Sequence, residues 1–394
     1  MKLDTFAMER MQSTFENQVD FNLSESGVQP LRLGELVDDG AAREQLLSEP
    51  LRYSQSNGTI ALRQTIAAMY PGATVDHVQV TNGGSEANYV TTWNLVEPGD
   101  EVVLMVPNYM QTWGLARAFG GAVRQWPLAI SGSPARWTVD CAGLEQLVSS
   151  RSKLIIICNP NNPTGARFEA ADLDRIAAAA GRHGSWVVSD EIYRGAELDG
   201  RETPSMWGRY DRAIVTSGLS KAYALPGLRI GWIVGPARLI ASLWAYHDYT
   251  TISPGALSDA LARRALEPGR RAQLLARTRR ILNANFPIVA EWLQSQGGLF
   301  SYVPPDAGAI VYVKYQHPIN STELVTRLRE RKSVLIVPGD HFGMDGYLRL
   351  GFGDEPSHLR EGLNRARELL TEIGAAEVRV KAETTTGRAV APSA

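Results

Sequence analysis

The chain has 394 residues, with 40 lysines and arginines, 42 aspartates and glutamates, a formal net charge of −2 at pH 7 and 44% hydrophobic residues. This is the composition of an ordinary soluble globular protein, and no basic excess points to a nucleic-acid partner. The length allows two or three domains around a sizeable core.

The sequence carries no targeting, membrane or metal-binding signature. Its N-terminal region mixes acids with bases and lacks an apolar stretch, and no run approaches the roughly 18 apolar residues of a membrane span. The two cysteines, Cys141 and Cys158, form no disulfide framework, the histidines are scattered, and neither a P-loop nor a GxGxxG motif occurs. These features predict a cytoplasmic protein without a metal, a nucleotide or a membrane partner.

The N-terminal region is predicted to be an arm. Residues 1–30 end in an extended segment, because Gly27 and Pro30 are incompatible with a regular helix. Helical spacing follows, and an amphipathic helix is predicted to begin near Thr59. This region therefore precedes the first regular α/β unit.

A strand, a glycine turn and a helix follow one another after residue 77. Val78–Thr81 is a short β-run, and the helix after the turn is predicted to start at Ser85 or Glu86. Such a turn directs free backbone N–H groups and the positive end of the helix dipole at one point, which suits an anion. A plain capped turn with Ser85 as N-cap is the alternative.

Polar or aromatic residues follow three further predicted strands. Tyr109 lies two residues after the strand-end Pro107, and core packing is the alternative for it. The apolar strand Lys153–Cys158 leads into two Asn-Pro steps, and the next strand ends in Asp190 and Glu191. Because ligands bind at the carboxyl ends of parallel strands, we expect these side chains to face one crevice.

Residues 213–235 read as strand, loop and strand, with a lysine in the loop. Ser220 and Lys221 follow the first strand, and Arg229 comes eight residues after the lysine. A lysine flanked by a hydroxyl and a second cation suits a Schiff base to a phosphorylated carbonyl compound, which needs lowered amine basicity and a phosphate anchor. A solvated surface lysine is the alternative.

One arginine in the C-terminal part is predicted to be buried. Arg349 alternates with Leu348 and Leu350 on an apolar strand, and a buried guanidinium needs a partner such as a bidentate carboxylate. Elsewhere in the chain, the stretch between Trp244 and Ala262 contains no lysine or arginine.

The run SGLSKAYALPGLRIGW resembles the lysine motif of the class I and II aminotransferases, which are pyridoxal 5′-phosphate (PLP) enzymes of fold type I. The other motifs fall in the family's order over about residues 20–370. The resemblance implies an α/β fold, with a mainly parallel seven-stranded sheet in a large domain and a smaller α/β domain. The implied division is an arm and part of the small domain at 1–40, the large domain at 41–285, the rest of the small domain at 286–376 and a flexible tail at 377–394.

By the same resemblance, Lys221 is the Schiff-base lysine and Asp190 the partner of the cofactor's ring nitrogen, with Glu191 facing elsewhere. A carboxylate about 4 Å from that nitrogen contributes about 4 kcal/mol, or roughly 3 pKa units, to its protonated form. The remaining cofactor ligands implied by the family pattern are Gly84, Ser85, Ser220 and Arg229 at the phosphate, Tyr109 on the ring with Trp113 as competitor, and Asn162 and Tyr193 at the phenolic oxygen.

The resemblance also implies the substrate contacts and the assembly. Arg349 and Asn162 bind the substrate, and the segment around Gly27 passes over it. Tyr53 is expected to reach the phosphate of the neighbouring subunit's cofactor, so a homodimer with shared sites is predicted. Dicarboxylate-specific members place a subunit-crossing arginine near the helix break that here is Ser253-Pro254-Gly255. Because this chain has no lysine or arginine there, we expect aromatic, aliphatic or basic side chains to be preferred over aspartate and glutamate.

The predicted function is transfer of an amino group between an L-amino acid and a 2-oxo acid. A PLP-dependent cyclase or β-elimination lyase of the same fold, of the capreomycidine synthase type, is the alternative suggested by the segments SESGV, GELVD, DYTTIS and VLIVPGDHFG. A non-catalytic relative is disfavoured, because every catalytic position is filled. The sequence leaves the substrate side chain and the amino acceptor open.

Overall fold

The computed structural model describes residues 2–387, with side chains up to Gly374. Its helices are α1 Ala7–Phe15, α2 Leu33–Leu36, α3 Gly40–Leu47, α4 Ile60–Ala67, α5 Gly84–Leu95, α6 Gln111–Ala118, α7 Cys141–Leu147, α8 Ala170–His183, α9 Ala237–His247, α10 Ala256–Leu266, α11 Pro268–Gln294, α12 Ser321–Lys332 and α13 Pro356–Gly387. Single 3₁₀ turns occupy Val75–His77, Pro226–Leu228 and Gly339–Phe342.

The strands form three sheets. They are β1 Phe21–Asn22, β2 Val78–Thr81, β3 Glu101–Val106, β4 Ala122–Ser131, β5 Arg136–Val139, β6 Ser152–Cys158, β7 Trp186–Asp190, β8 Ala213–Gly218, β9 Gly231–Val234, β10 Phe300–Tyr302, β11 Ile310–Tyr315, β12 Val334–Leu335, β13 Val337–Pro338 and β14 Tyr347–Gly351.

The largest sheet has the order β2-β9-β8-β7-β6-β3-β4-β5. Strands β8, β7, β6, β3 and β4 pair in parallel, while β9 and β5 pair antiparallel with their neighbours. The predicted mainly parallel sheet is confirmed, but it has eight strands rather than seven. The difference arises because the chain leaves β4 and folds back on it through the hairpin strand β5.

Helices cover both faces of this sheet, so its central strands are apolar on both sides. Alternate residues of β6 belong to two separate cores: Ile155 and Ile157 to one, Leu154 and Ile156 to the other. The buried β6 backbone is thereby fixed between its neighbouring strands. It positions the residues that follow Cys158 at the carboxyl end of the sheet.

The smaller α/β part contains the antiparallel sheet β10-β11-β14-β13, and α13 packs against α11 and α12. The N-terminal segment joins this part, since β1 pairs in parallel with β12. The predicted division of the chain stays a prediction. Helix α13 runs to Gly387, within the tail predicted for residues 377–394, and residues 388–394 lie outside the described residues.

Two local expectations differ from the structure. Helix α5 begins at Gly84 with Gly83 as N-cap, one residue earlier than predicted, because Gly83 adopts φ +90°. The arm at 1–30 contains the regular helix α1, which the sequence analysis did not predict. Within residues 2–387, no helix combines the length and apolar character needed to cross a membrane, and no cluster of potential metal ligands occurs.

Candidate active site

A cavity of about 290 Å³ opens above the carboxyl ends of the central parallel strands. Ten of the twelve predicted site residues line it: Gly84, Ser85, Tyr109, Asn162, Asp190, Tyr193, Ser220, Lys221, Arg229 and Arg349. Its position agrees with the rule that ligands of open α/β sheets bind beyond the carboxyl ends of the strands.

One end of the cavity is built for an anion. Gly84 and Ser85 begin α5, and Arg229 enters beside them in a left-handed conformation with φ +51°. A Cβ atom at Gly83 would lie 2.3 Å from the Arg229 Nη2 atom, and one at Gly231 would lie 2.4 Å from the Gly83 carbonyl carbon. Glycine at both positions therefore lets the helix N-terminus and the guanidinium approach closely, and together they suit a phosphate.

Asp190 lies at the end of β7 and accepts hydrogen bonds from Asn88 Nδ2, at 3.0 Å, and from the Ile192 backbone N–H, at 3.1 Å. Burial raises the pKa of its carboxyl group, and no cationic side chain among residues 2–374 forms an ion pair with it. A protonated ring nitrogen would provide the missing positive charge, so Asp190 fits the PLP ring.

Glu191 faces the opposite side of the sheet. Its carboxylate accepts from Ser205 Oγ at 2.9 Å and from the Met206 backbone N–H at 2.8 Å, and it does not line the cavity. Burial raises the pKa of Glu191 to about 7. The placement agrees with the predicted division between the two adjacent carboxylates, because side chains alternate along a strand.

Tyr109 lies in the cavity, and Trp113 does not. The Tyr109 hydroxyl donates to Glu9 Oε1 at 3.0 Å, and the ring packs edge-on against Phe6 with centroids 5.1 Å apart. Burial raises the pKa of the Tyr109 phenol. Helix α1 therefore holds the aromatic side chain expected to stack on the cofactor ring.

Arg349 is only 1% exposed. Its Nη1 donates to Asn162 Oδ1 at 2.9 Å and its Nη2 to the Ser24 carbonyl at 2.6 Å, while its Nε has no hydrogen-bond partner in the described part of the chain. None of these acceptors is a carboxylate. The predicted buried guanidinium is present, and it lacks an anionic partner within residues 2–374.

Tyr193 and Asn162 lie beside this arginine and the lysine. The Tyr193 hydroxyl donates to Ser26 Oγ at 2.9 Å, and burial raises its pKa. The Asn162-Pro163 peptide bond is cis. Both side chains are buried and can donate to an oxygen in the cavity.

Lys221 forms an ion pair that the sequence analysis missed, between its Nζ and Glu25 Oε1 at 2.6 Å. Burial by itself would lower the pKa of Lys221, but Glu25 and Tyr193 raise it, and the net direction is upward. This direction is opposite to the lowered basicity that suits a Schiff-base lysine. Lys221 in turn lowers the pKa of Glu25 to about 2.

Two predicted residues lie outside the cavity lining. Tyr53 is 84% exposed on the surface. Gly27 is buried beside the lysine: a Cβ atom there would lie 3.6 Å from Lys221 Cδ, and its backbone N–H donates to Glu25 Oε1 at 2.9 Å. The segment around Gly27 thus borders the cavity through its backbone.

Further lining residues were not predicted, and most belong to α1 or to the segment after β1. They are Met8, Glu9, Gln12, Ser13, Glu16, Glu25, Ser26, Asn88, Cys158, Ile192 and Pro226. A signal existed for some of them, since Glu9 and Glu16 are seven residues apart and share a helix face. Asn88 follows Ser85 by three residues, which also places both on one face.

The comparisons with known proteins agree with this geometry. The sequence model for class I and II aminotransferases matches residues 35–365. A solved structure of a PLP-dependent aminotransferase from Streptococcus suis superposes with a TM-score of 0.88 at 31% identity, covering 95% of this chain and 99% of that one. The fold is therefore that of the fold type I PLP enzymes.

Three curated relatives illustrate the range of reactions. Capreomycidine synthase of Streptomyces vinaceus is 32% identical over 90% of both chains. An aspartate aminotransferase of Streptomyces avermitilis is 29% identical over 82% of both chains. An arginine–pyruvate transaminase of Pseudomonas aeruginosa is 33% identical over 84% of this chain and 86% of that relative.

The chain belongs to the class I and II aminotransferase family, because the family match spans most of its length. It is an enzyme of the PLP-dependent aminotransferase type, and the predicted family and fold class are confirmed.

Proposed function

We propose that this chain binds PLP covalently through Lys221 and transfers an amino group between an L-amino acid and a 2-oxo acid. The observation that carries the proposal is the convergence of Lys221, Asp190 and Arg349 in one cavity. When bound, PLP supplies an electrophilic aldehyde carbon and a ring that takes up negative charge from the substrate carbon.

The cofactor is held at four points. Gly84, Ser85, Ser220 and Arg229 bind the phosphate through N–H, hydroxyl and guanidinium donors. Tyr109 covers one face of the ring and excludes water from it. Asp190 keeps the ring nitrogen protonated, while Asn162 and Tyr193 donate to the phenolic oxygen. The half-buried Asp190 carboxylate, which forms no ion pair with residues 2–374, supports this arrangement.

Arg349 binds the substrate α-carboxylate, with Asn162 beside it and the Gly27 segment alongside. Lys221 would then act as the base that takes the proton from the substrate Cα and as the acid that returns it. An amine suits this role once its ion pair with Glu25 is broken, since only its neutral form accepts a proton.

Chemical labelling tests the covalent assignment. Borohydride reduction of the PLP-loaded enzyme, followed by peptide mapping, is expected to place the reduced cofactor on Lys221 alone. A label on another lysine would contradict the assignment. Loss of the cofactor's aldehyde absorbance with release of one keto acid per site, when an amino acid is added, tests the transfer itself.

We also propose a homodimer in which Tyr53 reaches the neighbouring subunit's phosphate site. Tyr53, Leu51, Tyr249 and Ile252 are large apolar side chains exposed on the surface, and the Ser54 hydroxyl donates to the Pro254 carbonyl at 2.9 Å, which joins the two segments that carry them. Exposed apolar patches commonly mark protein interfaces.

Mixed dimers test this proposal. Equal amounts of Tyr53→Phe and Lys221→Ala chains, dissociated and reassembled together, are expected to recover up to about a quarter of the wild-type sites, since half of the dimers are hybrids with one intact site. A mixture of Lys221→Ala and Asp190→Asn chains is the control. It should stay inactive, because both residues belong to the same subunit's site. A fully active monomer would contradict the proposal.

A cyclase is the second candidate, supported by the 32% identity with capreomycidine synthase. The same site would then remove the Cα proton but release an amino acid with a new ring instead of a keto acid. Product analysis of the first turnover distinguishes the two.

We also propose a cytoplasmic location, since the buried thiols of Cys141 and Cys158 are both free, as in a reducing compartment.

A further inference from the structure

The N-terminal helix gives the cavity an acidic wall. Glu9 and Glu16 line it from α1 and its C-cap, and Glu25 lines it from the segment after β1. Glu9 accepts from Tyr109, and Glu25 pairs with Lys221. The half-buried Glu16 carboxylate forms neither a hydrogen bond nor an ion pair with the side chains and backbone of residues 2–374. One carboxylate of the wall is therefore free.

Arg349 is in the converse situation, since it is a cation without an anionic partner within residues 2–374. This guanidinium is nine-tenths buried or more, and its unpartnered Nε indicates an anionic ligand in the same cavity. It lies against α1, with Nη1 3.5 Å from Met8 Sδ. The cavity thus contains a buried cation without a carboxylate at one place and a carboxylate without a cation at another.

Helix α1 sets the distance between Arg349 and Glu16. Gln12 Nε2 donates to the Ser24 carbonyl at 2.9 Å, and the same carbonyl accepts from Arg349, so this turn of α1 is tied to the arginine. Glu16 follows Gln12 by four residues, or about 6 Å along the helix axis. A molecule that contacts both Arg349 and Glu16 has several bonds between its two charged ends.

A cationic ligand is the group that would pair with Glu16, because each cation of the cavity has another partner. Under the proposed function, Arg349 binds the α-carboxylate, Arg229 the phosphate and Lys221 the cofactor's carbonyl carbon. None of these cations remains for Glu16. Burial, followed by repulsion from Glu25 and Glu9, raises the pKa of Glu16, and a cationic ligand would relieve that repulsion.

We propose that the substrate amino acid carries a guanidinium or ammonium group at the end of a side chain of several methylenes, and that Glu16 binds this group. Glu9 and Glu25 add negative charge to the same wall. The inference rests on the proposed function, because it takes Arg349 as the site of the α-carboxylate.

Arginine and citrulline provide the test, since they differ by a charged guanidinium against a neutral urea of nearly the same shape. Binding of each to the PLP-loaded enzyme is measured by titration of the cofactor's visible absorbance. We expect wild-type enzyme to bind arginine at least about tenfold more tightly, as a hydrogen bond between charged groups allows. Glu16→Gln should reduce this ratio to about threefold or less by weakening arginine alone.

Asp4→Asn is the matched control, because it removes one negative charge just before the same helix and outside the cavity lining. It should leave the ratio at its wild-type value. Lysine against norleucine repeats the comparison for an ammonium group. Equal binding of the charged and neutral members of both pairs by wild-type enzyme would overturn the proposal, as would an unchanged ratio in a folded Glu16→Gln variant.

A wrong proposed function and a wrong substrate class would give different experimental results. If the proposed function is wrong, arginine still binds more tightly than citrulline, but no keto acid is released from any amino acid. If only the substrate class is wrong, keto acid is released, and it comes preferentially from neutral or acidic amino acids.

Discussion

The cavity has a floor and a roof that are held in place by different means. The floor consists of Asn162, Asp190 and Lys221, which follow parallel strands buried between two cores. The roof consists of α1 and residues 24–26. Its ties to the floor are side-chain contacts, such as Glu25 with Lys221 and Tyr193 with Ser26.

The floor and the roof are suited to different functions, the floor to the reaction and the roof to substrate selection. Backbone pairing fixes the strand ends, so the floor suits groups that must be positioned to within a fraction of an ångström for a reaction. A short helix held by side-chain contacts alone, including the core packing of Met8, opens at lower free energy than a central strand, and such elements suit binding and release. We therefore expect changes to the floor to reduce every reaction and changes to the roof to alter which substrate reacts.

The largest effect is expected for Lys221→Ala. This change removes both the covalent attachment point and the proposed base, and a loss of roughly 10⁴- to 10⁶-fold in kcat is expected. Single-turnover measurements with PLP-loaded protein check it. A variant that retained more than about a tenth of the wild-type rate would show that another group moves the proton.

Asp190→Asn should follow, with a loss of about 10³-fold in kcat/KM, because about 4 kcal/mol of stabilisation of the charged ring nitrogen is removed. Glu191→Gln is its control. Since Glu191 faces the other side of the sheet, activity per folded molecule should change less than about threefold, although the melting temperature can fall. Equal losses in both variants would contradict the assigned roles.

Arg349→Ala should lower kcat/KM by roughly 30-fold to several thousand-fold, from about 2 to 5 kcal/mol for losing a charged contact to a carboxylate. The loss should be similar for all amino acids, because every one carries the α-carboxylate. Comparing the loss across a panel tests this. A loss confined to one side-chain class would show that Arg349 selects the side chain and does not bind the α-carboxylate. The panel also checks the expectation that aspartate is not the fastest donor.

Most of the floor could be predicted from the sequence, because its residues come directly after recognisable apolar strands. Lys153–Cys158 and the run before Asp190 are readable as buried strands, and their carboxyl ends must meet in a parallel sheet. The eighth strand was missed for a local reason. β5 is short and half-exposed, so it lacks the continuous apolar run of the central strands.

The roof could not be predicted in the same way. Helix α1 is short, and its place over Arg349 depends on contacts of that arginine with Met8 and the Ser24 carbonyl, which are 341 and 325 positions away in the chain. The upward direction of the Lys221 pKa could not be predicted for the same reason. The motif placed a hydroxyl and a second cation near the lysine, but the opposing carboxylate of Glu25 lies 196 positions away in the chain.

The smallest predicted effect concerns the single ion pair that joins the roof to the floor. Because Glu25 raises the pKa of Lys221, removing its charge in Glu25→Gln should lower that pKa and increase the fraction of neutral amine near neutral pH. PLP condenses with the neutral amine, and each pKa unit changes its fraction about tenfold. We expect the cofactor-free variant to load PLP a few-fold to about tenfold faster than wild type.

Stopped-flow absorbance measures this rate, and its pH dependence gives the sign. A raised pKa keeps the wild-type amine protonated to higher pH, so the advantage of Glu25→Gln should shrink as the pH rises through the pKa of Lys221. Glu16→Gln should give a smaller increase, because Glu16 faces the same cavity without a hydrogen bond to the lysine. Slower loading by Glu25→Gln at every pH would show that the roof positions Lys221 for the cofactor instead of holding its proton.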